Sequence, residues 1–113
     1  MEIKLVLAII RHDRLEAVEE ALKPIGVERF NTTKVKGYGE YRNFFATDWM
    51  TEEVKVEIFT RQHHVESVTS AILEAAHTGV AGDGVVAVLP VDKFFLVRTR
   101  SEATPEEFWP RGR

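Results

Sequence analysis

Three glycines fall within seven residues at Thr78-Gly79-Val80-Ala81-Gly82-Asp83-Gly84, between an Ala-rich stretch of helical pattern and a Val-rich stretch of strand pattern. Gly79 can stop a helix in the left-handed region. Gly82 and Gly84 lack the Cβ atoms that would hold a phosphate away from backbone N–H groups, so the stretch reads as an anion loop. A helix cap followed by a plain turn is the other reading, and the stretch alone does not choose between them. Other chemistry-bearing residues are sparser. His63-His64 opens a helical pattern and His12 and His77 lie elsewhere, but adjacent histidines on a helix point different ways and no carboxylate pair stands beside them at ligand spacing. No metal is expected. Glu52-Glu53 and Glu106-Glu107 are consecutive rather than set across a site, which gives no general acid–base pair. The chain has no Gly-x-Ser-x-Gly, no phosphate-loop lysine and no nucleophile with a base, so it is not expected to be an enzyme.

These residues need a frame to hold them. The chain has 113 residues, 44% hydrophobic and 29% charged, enough for one domain with a single modest core. It has no cysteine, which removes disulfides and thiolate metal sites and fits a reducing compartment, so a cytoplasmic location is expected. A net charge of −3 with both signs interspersed argues against nucleic acid or an anionic membrane as a general partner. Any anion site must be local. The opening apolar run is too short to span a bilayer and lacks a cleavage-type pattern.

Residues 3–10 are rich in Ile, Val and Leu and read as a strand buried on one face or both. Residues 13–25 read as a helix, with Asp13 as N-cap, Glu16 three residues on, and Leu15, Val18, Leu22 and Ile25 at helical spacing before Pro24 and Gly26 end it. Strands follow at 27–36 and at 54–60, where Val54-Lys55-Val56-Glu57-Ile58-Phe59-Thr60 alternates cleanly. A second helix spans about 63–77, with Val65, Val68, Ile72 and Ala76 on one face and Leu73 widening it. Strands at 85–91 and 93–99 complete the elements, and a polar tail from 101 to 113 carries Phe108-Trp109. Residues 38–53 keep no period yet hold Tyr38, Tyr41, Phe44, Phe45 and Trp49. A long aperiodic segment in a small chain is usually functional, although these rings can equally fold back over the sheet.

Strand-helix-strand occurring twice is the α+β, ferredoxin-like βαββαβ pattern, here with an extra C-terminal strand and a domain spanning 1–100. Right-handed crossovers put both helices on one face of an antiparallel sheet and leave the other face bare. The apolar residues on that face predict burial in a closed symmetric oligomer.

Thr33-Lys34-Val35-Lys36-Gly37-Tyr38-Gly39, Ala75-Ala76-His77-Thr78-Gly79, Gly82-Asp83-Gly84 and Val97-Arg98-Thr99, in this order, resemble the PII signalling family over nearly residues 1–99. The resemblance implies a homotrimer with three inter-subunit clefts that each bind an adenine nucleotide. It also implies a long loop, here 38–53, that docks onto a transporter, enzyme or regulator. By this resemblance Gly37, Tyr38 and Gly39 line the nucleotide at the loop base, Gly82, Asp83 and Gly84 present backbone donors to its phosphates, and Ile9, Asn31, Glu57 and Phe59 lie near adenine and ribose. Arg98 matches a phosphate-binding arginine, and Arg100 is a candidate replacement for a second one.

The chain also departs from the family's nitrogen sensors. Glu40-Tyr41 stands where they have Arg-Gln, Val85 where they have a lysine after Gly-Asp-Gly, Leu96 where a second arginine is usual and Glu53 where a lysine is usual. Each lost cation removes a charge-assisted hydrogen bond of roughly 1.5–3 kcal/mol, and a triphosphate loses most. ADP or AMP is therefore expected over ATP. Tyr41 and Glu53 make 2-oxoglutarate sensing unexpected, and a shortened aromatic loop leaves no counterpart of the family's modified tyrosine. These features resemble the PII-like branch linked to carboxysomes and inorganic carbon, with Lys36 and Arg42 as candidate bicarbonate donors. The alternatives are a nitrogen-regulatory PII sensor, or a small acylphosphatase-type enzyme that would use Arg11-His12 as its anion loop.

Overall fold

The computed structural model describes residues 1–27, 29–38 and 50–108. The β-branched runs form a four-stranded antiparallel sheet from β1 (Ile3–Arg11), β2 (Asn31–Tyr38), β3 (Met50–Arg61) and β4 (Gly84–Val91), in the order β2-β3-β1-β4. This is the order expected of a ferredoxin-like sheet. Helices α1 (Leu15–Leu22) and α2 (Val65–Ala76) cover one face, and period-two alternation sorts the strands accordingly. Val6, Ala8, Ile10, Val54, Val56 and Ile58 point into the core with Val18, Leu22, Val68 and Ile72 from the helices. Each of these larger side chains contributes roughly 1.5–3 kcal/mol by leaving water.

The two halves of the core repeat each other. β1 and β3 each end in an arginine, Arg11 and Arg61, in extended geometry, then pass through a 3-10 turn, His12–Arg14 or Gln62–His64, into a helix. Fifty residues apart, Val18 matches Val68 and Leu22 matches Ile72, so both helices bury the same stripe. This device replaces the cap expected at Asp13. The residue before α1 is Arg14, which makes no side-chain cap bond, and Asp13 sits inside the turn. Arg14 instead donates to the Ala75 carbonyl oxygen from Nε at 3.0 Å and from Nη2 at 2.6 Å. That places a cation on the carbonyl end of α2, where the helix dipole favours it.

Several boundaries move for physical reasons. β2 begins at Asn31 rather than Val27, because Val27 closes the end of α1 with its N–H on the Leu22 carbonyl and its side chain in the core. β3 begins at Met50 rather than Val54, since ladder pairing continues to Tyr38 opposite Met50 and satisfies the backbone whatever the side-chain pattern. The loop expected over 38–53 thus has paired strand at both ends, and 39–49 lies outside the described residues. Leu73 does not widen the apolar face of α2: it is 57% exposed.

After β4 the chain does not lengthen the main sheet. The run expected at 93–99 becomes β5 (Phe95–Leu96), which pairs with β6 (Ser101–Glu102) across a turn in which Arg100 takes φ 56. The boundary expected at residue 100 falls inside this hairpin. Beyond it a 3-10 turn at Pro105–Glu107 delivers Phe108, 4% exposed, back onto the domain.

Candidate functional site

The glycine loop is tied down by its own aspartate. The Asp83 carboxylate accepts hydrogen bonds from the Thr78 N–H at 2.8 Å, the Gly79 N–H at 2.9 Å, the Thr78 hydroxyl, and Arg11 Nε at 3.1 Å. Arg11 Nη2 also donates to the Ala81 carbonyl at 2.7 Å. The Thr78 hydroxyl and N–H, then the Gly79 N–H and Arg11, hold the Asp83 carboxyl well below the usual carboxylate range. Asp83 is therefore a clasp for the loop. Its carboxylate faces back toward the end of α2, so only the surrounding backbone remains to meet an anion.

Gly84 owes its identity to packing against β1. Its φ is 104°, and a Cβ there would stand 1.8 Å from the Ile9 carbonyl oxygen. A phosphate does not have to be invoked to explain this glycine. Ile9 lies beside it on β1, half-buried on the open sheet face between Lys55 and Val85 in register.

A second group gathers at the opposite sheet edge. Asn31, Glu57, Phe59 and Arg98 line one groove of about 850 Å³. Asn31 opens β2 directly across from Glu57, and Phe59 follows two residues on along the same face of β3. Phe59 meets Phe94 edge-on at 5.0 Å between ring centroids, and Phe94 meets Phe108 edge-on at 4.9 Å. This T-shaped ladder is a favourable aromatic geometry and gives the groove a firm apolar wall. Arg29, Glu106 and Glu107 add charge around it.

Of the other expected residues, Gly37 and Tyr38 pair with Thr51 and Met50 at the far end of the β2–β3 ribbon. Lys36 is exposed and opposite Glu52 in register. Gly39 and Arg42 lie outside the described residues. Arg100 turns the β5–β6 hairpin, its N–H on the Leu96 carbonyl at 2.9 Å, and does not line the groove. The His63 and His64 rings lie 4.1 Å apart between centroids, tilted by 42°, and no group of three potential metal ligands gathers among the described residues.

Two groups of the expected residues, the 82–84 loop and the Asn31–Arg98 groove, thus lie toward opposite edges, with Gly37 and Tyr38 apart at the far end of β2. The 82–84 loop leads into β4, Asn31 opens β2, and β1 and β3 separate them. Three strand spacings put roughly 14 Å between these edges. Sequence reasoning missed Arg11 as loop partner and Glu106, Glu107 and Phe108 as groove wall. The spacing Thr104-Pro105-Glu106-Glu107, a capping-box pattern, was the available signal for the last three.

Comparison with known proteins gives concordant matches. The family model described as "Nitrogen regulatory protein P-II" matches residues 3–101. The chain is 40% identical over 104 residues to "Nitrogen regulatory protein GlnK2" of Haloferax mediterranei, covering 86% of this chain and 85% of that protein. It is 34% identical over 104 residues to the "Nitrogen regulatory protein P-II" of Azospirillum brasilense, covering 85% of this chain and 92% of the relative. Among solved structures it is similar to Arabidopsis thaliana PII bound to citrate, with a TM-score of 0.78, 37% identity, and coverage of 90% of this chain and 89% of the other.

Proposed function

This chain belongs to the P-II family, and from that premise we propose that it is a nucleotide-responsive signalling protein acting as a homotrimer. Family members named as relatives are regulatory proteins, and the chain is a regulator rather than an enzyme. In the reading advanced here, each cleft between neighbouring subunits takes one adenine nucleotide. One subunit offers the backbone of residues 82–84 with Ile9, its neighbour offers Asn31, Glu57, Phe59 and Arg98, and Gly37–Gly39 at the loop base complete the site. The nucleotide state is passed through residues 38–53 to a docked transporter, enzyme or regulator.

The observation that carries this reading is the division of the site between the two sheet edges, which a second copy of the chain would complete. The open sheet face supports assembly. Leu5, Leu7, Ile9 and Phe59 are only half-buried there, and Val85 and Leu89 are 60% and 40% exposed. The apolar stripe along β1 and β4, beside the polar Lys55 and Glu57 of β3, gains by meeting other copies of the chain.

ADP or AMP is preferred over ATP in this reading, because Val85 and Leu96 supply no charge where the family's nitrogen sensors have cations. The relatives' names favour the nitrogen-regulatory alternative over the carbon-linked branch that the sequence features resemble. Bicarbonate has no comparable support, since Lys36 is exposed and faces the Glu52 register position. The acylphosphatase-type reading loses its anion loop, as Arg11 is engaged with Asp83 and Ala81. Thermal shift with AMP, ADP, ATP and bicarbonate tests the proposal. A rise in Tm with AMP or ADP is expected, and no response to any adenine nucleotide would sink it.

A further inference from the structure

Among the described residues, five charged side chains line the groove. Arg29 and Arg98 are cationic, whereas Glu57, Glu106 and Glu107 are anionic, so carboxylates outnumber cations. Two of the three carboxylates come from the Pro105–Glu107 turn, beyond the hairpin. This turn is a built wall. Thr104 donates to Glu107 Oε1 from its N–H at 2.9 Å and from its hydroxyl at 3.0 Å. On its other side Phe108 is buried against Phe94, which packs on Phe59. The Thr104 N–H and hydroxyl, with the nearby positive charge of Arg98, lower the Glu107 carboxyl from its ordinary value, so it stays ionised at neutral pH.

We propose that the Pro105–Phe108 turn sets the charge selectivity of the groove, with Glu106 and Glu107 opposing each added phosphate of a bound nucleotide and so favouring the less charged ligand. The inference rests on the nucleotide reading above and deepens it. Like charges held on one wall act on a ligand in proportion to its charge, and the aromatic ladder prevents the wall from withdrawing. Because the repulsion scales with ligand charge, a triphosphate is opposed more strongly than a diphosphate or a monophosphate.

Calorimetric titration of the full chain with AMP, ADP and ATP in magnesium-free buffer tests this, comparing wild type with Glu106→Gln. Glu106 is exposed, so this change removes charge with little effect on packing. Glu107→Gln serves as a second variant, because glutamine keeps an acceptor for Thr104. Each variant is expected to tighten ATP binding by about fivefold and AMP binding by less than about twofold, with ADP between them. Raising the salt should compress the wild-type spread in the same direction. Nucleotide binding with equal or absent shifts across the three ligands would overturn the selectivity role and leave the nucleotide reading standing. Absence of binding by every protein to every nucleotide would overturn both.

Discussion

At the scale of single residues, the motif that looked most like a ligand cradle is held together by its own side chains. Asp83 gathers Thr78, Gly79 and Arg11, and Gly84 is required by the Ile9 carbonyl it presses against. The Asp83 carboxyl is depressed in the folded protein. Its contribution to stability is therefore fully present above the unfolded value, about 3.9, and is lost as pH falls through the lower folded value. Asp83→Asn should lower Tm at pH 7, and the gap from wild type should narrow progressively below about pH 4. Melting curves from pH 7 to pH 2 check this, and a gap independent of pH would contradict the clasp. Sequence pattern located this loop correctly but not its internal bonding, because a Gly-Asp-Gly spacing does not say which way the carboxylate turns.

At the scale of elements, the strands and helices were legible because alternation and helical spacing record which face is buried. Val54 to Thr60 and the stripe Val18–Leu22 are the plainest examples. What pattern could not give was structure fixed by pairing or by distant packing. β3 runs back to Met50 through ladder pairing with β2, and the turn after β6 is held by the Thr104–Glu107 bonds and by the packing of Phe108 on Phe94, from a polar stretch. Phe108→Ala removes that contact. Burial at 4% predicts a local loss of about 3 kcal/mol, seen as faster amide exchange over 101–108 with the four-stranded sheet still protected. Unchanged exchange there would show that the turn is held by something else. The expected site residues were legible only in part: Asn31, Glu57, Phe59 and Arg98 share a groove, whereas its acidic Glu106-Glu107 wall came from a segment with no periodic signal.

At the scale of the whole molecule, the proposed nucleotide site needs copies of the chain to meet through the open sheet face. Leu7, on the central strand β1 between Glu57 and Ala87, lies in the middle of that face. Leu7→Glu should convert a species of three chains to a monomer in light scattering, because an uncompensated charge would be buried in the interface. Retention of the trimer would place the interface elsewhere. The central claim is that such an assembly completes a nucleotide site with the Arg98 groove as one half. Titration calorimetry of ADP into wild type and Arg98→Ala tests it most directly. One site per chain and at least tenfold weaker binding in the variant, about 1.4 kcal/mol, is the predicted result. Equal ADP affinity in the two proteins, or no ADP binding by either, would contradict the account.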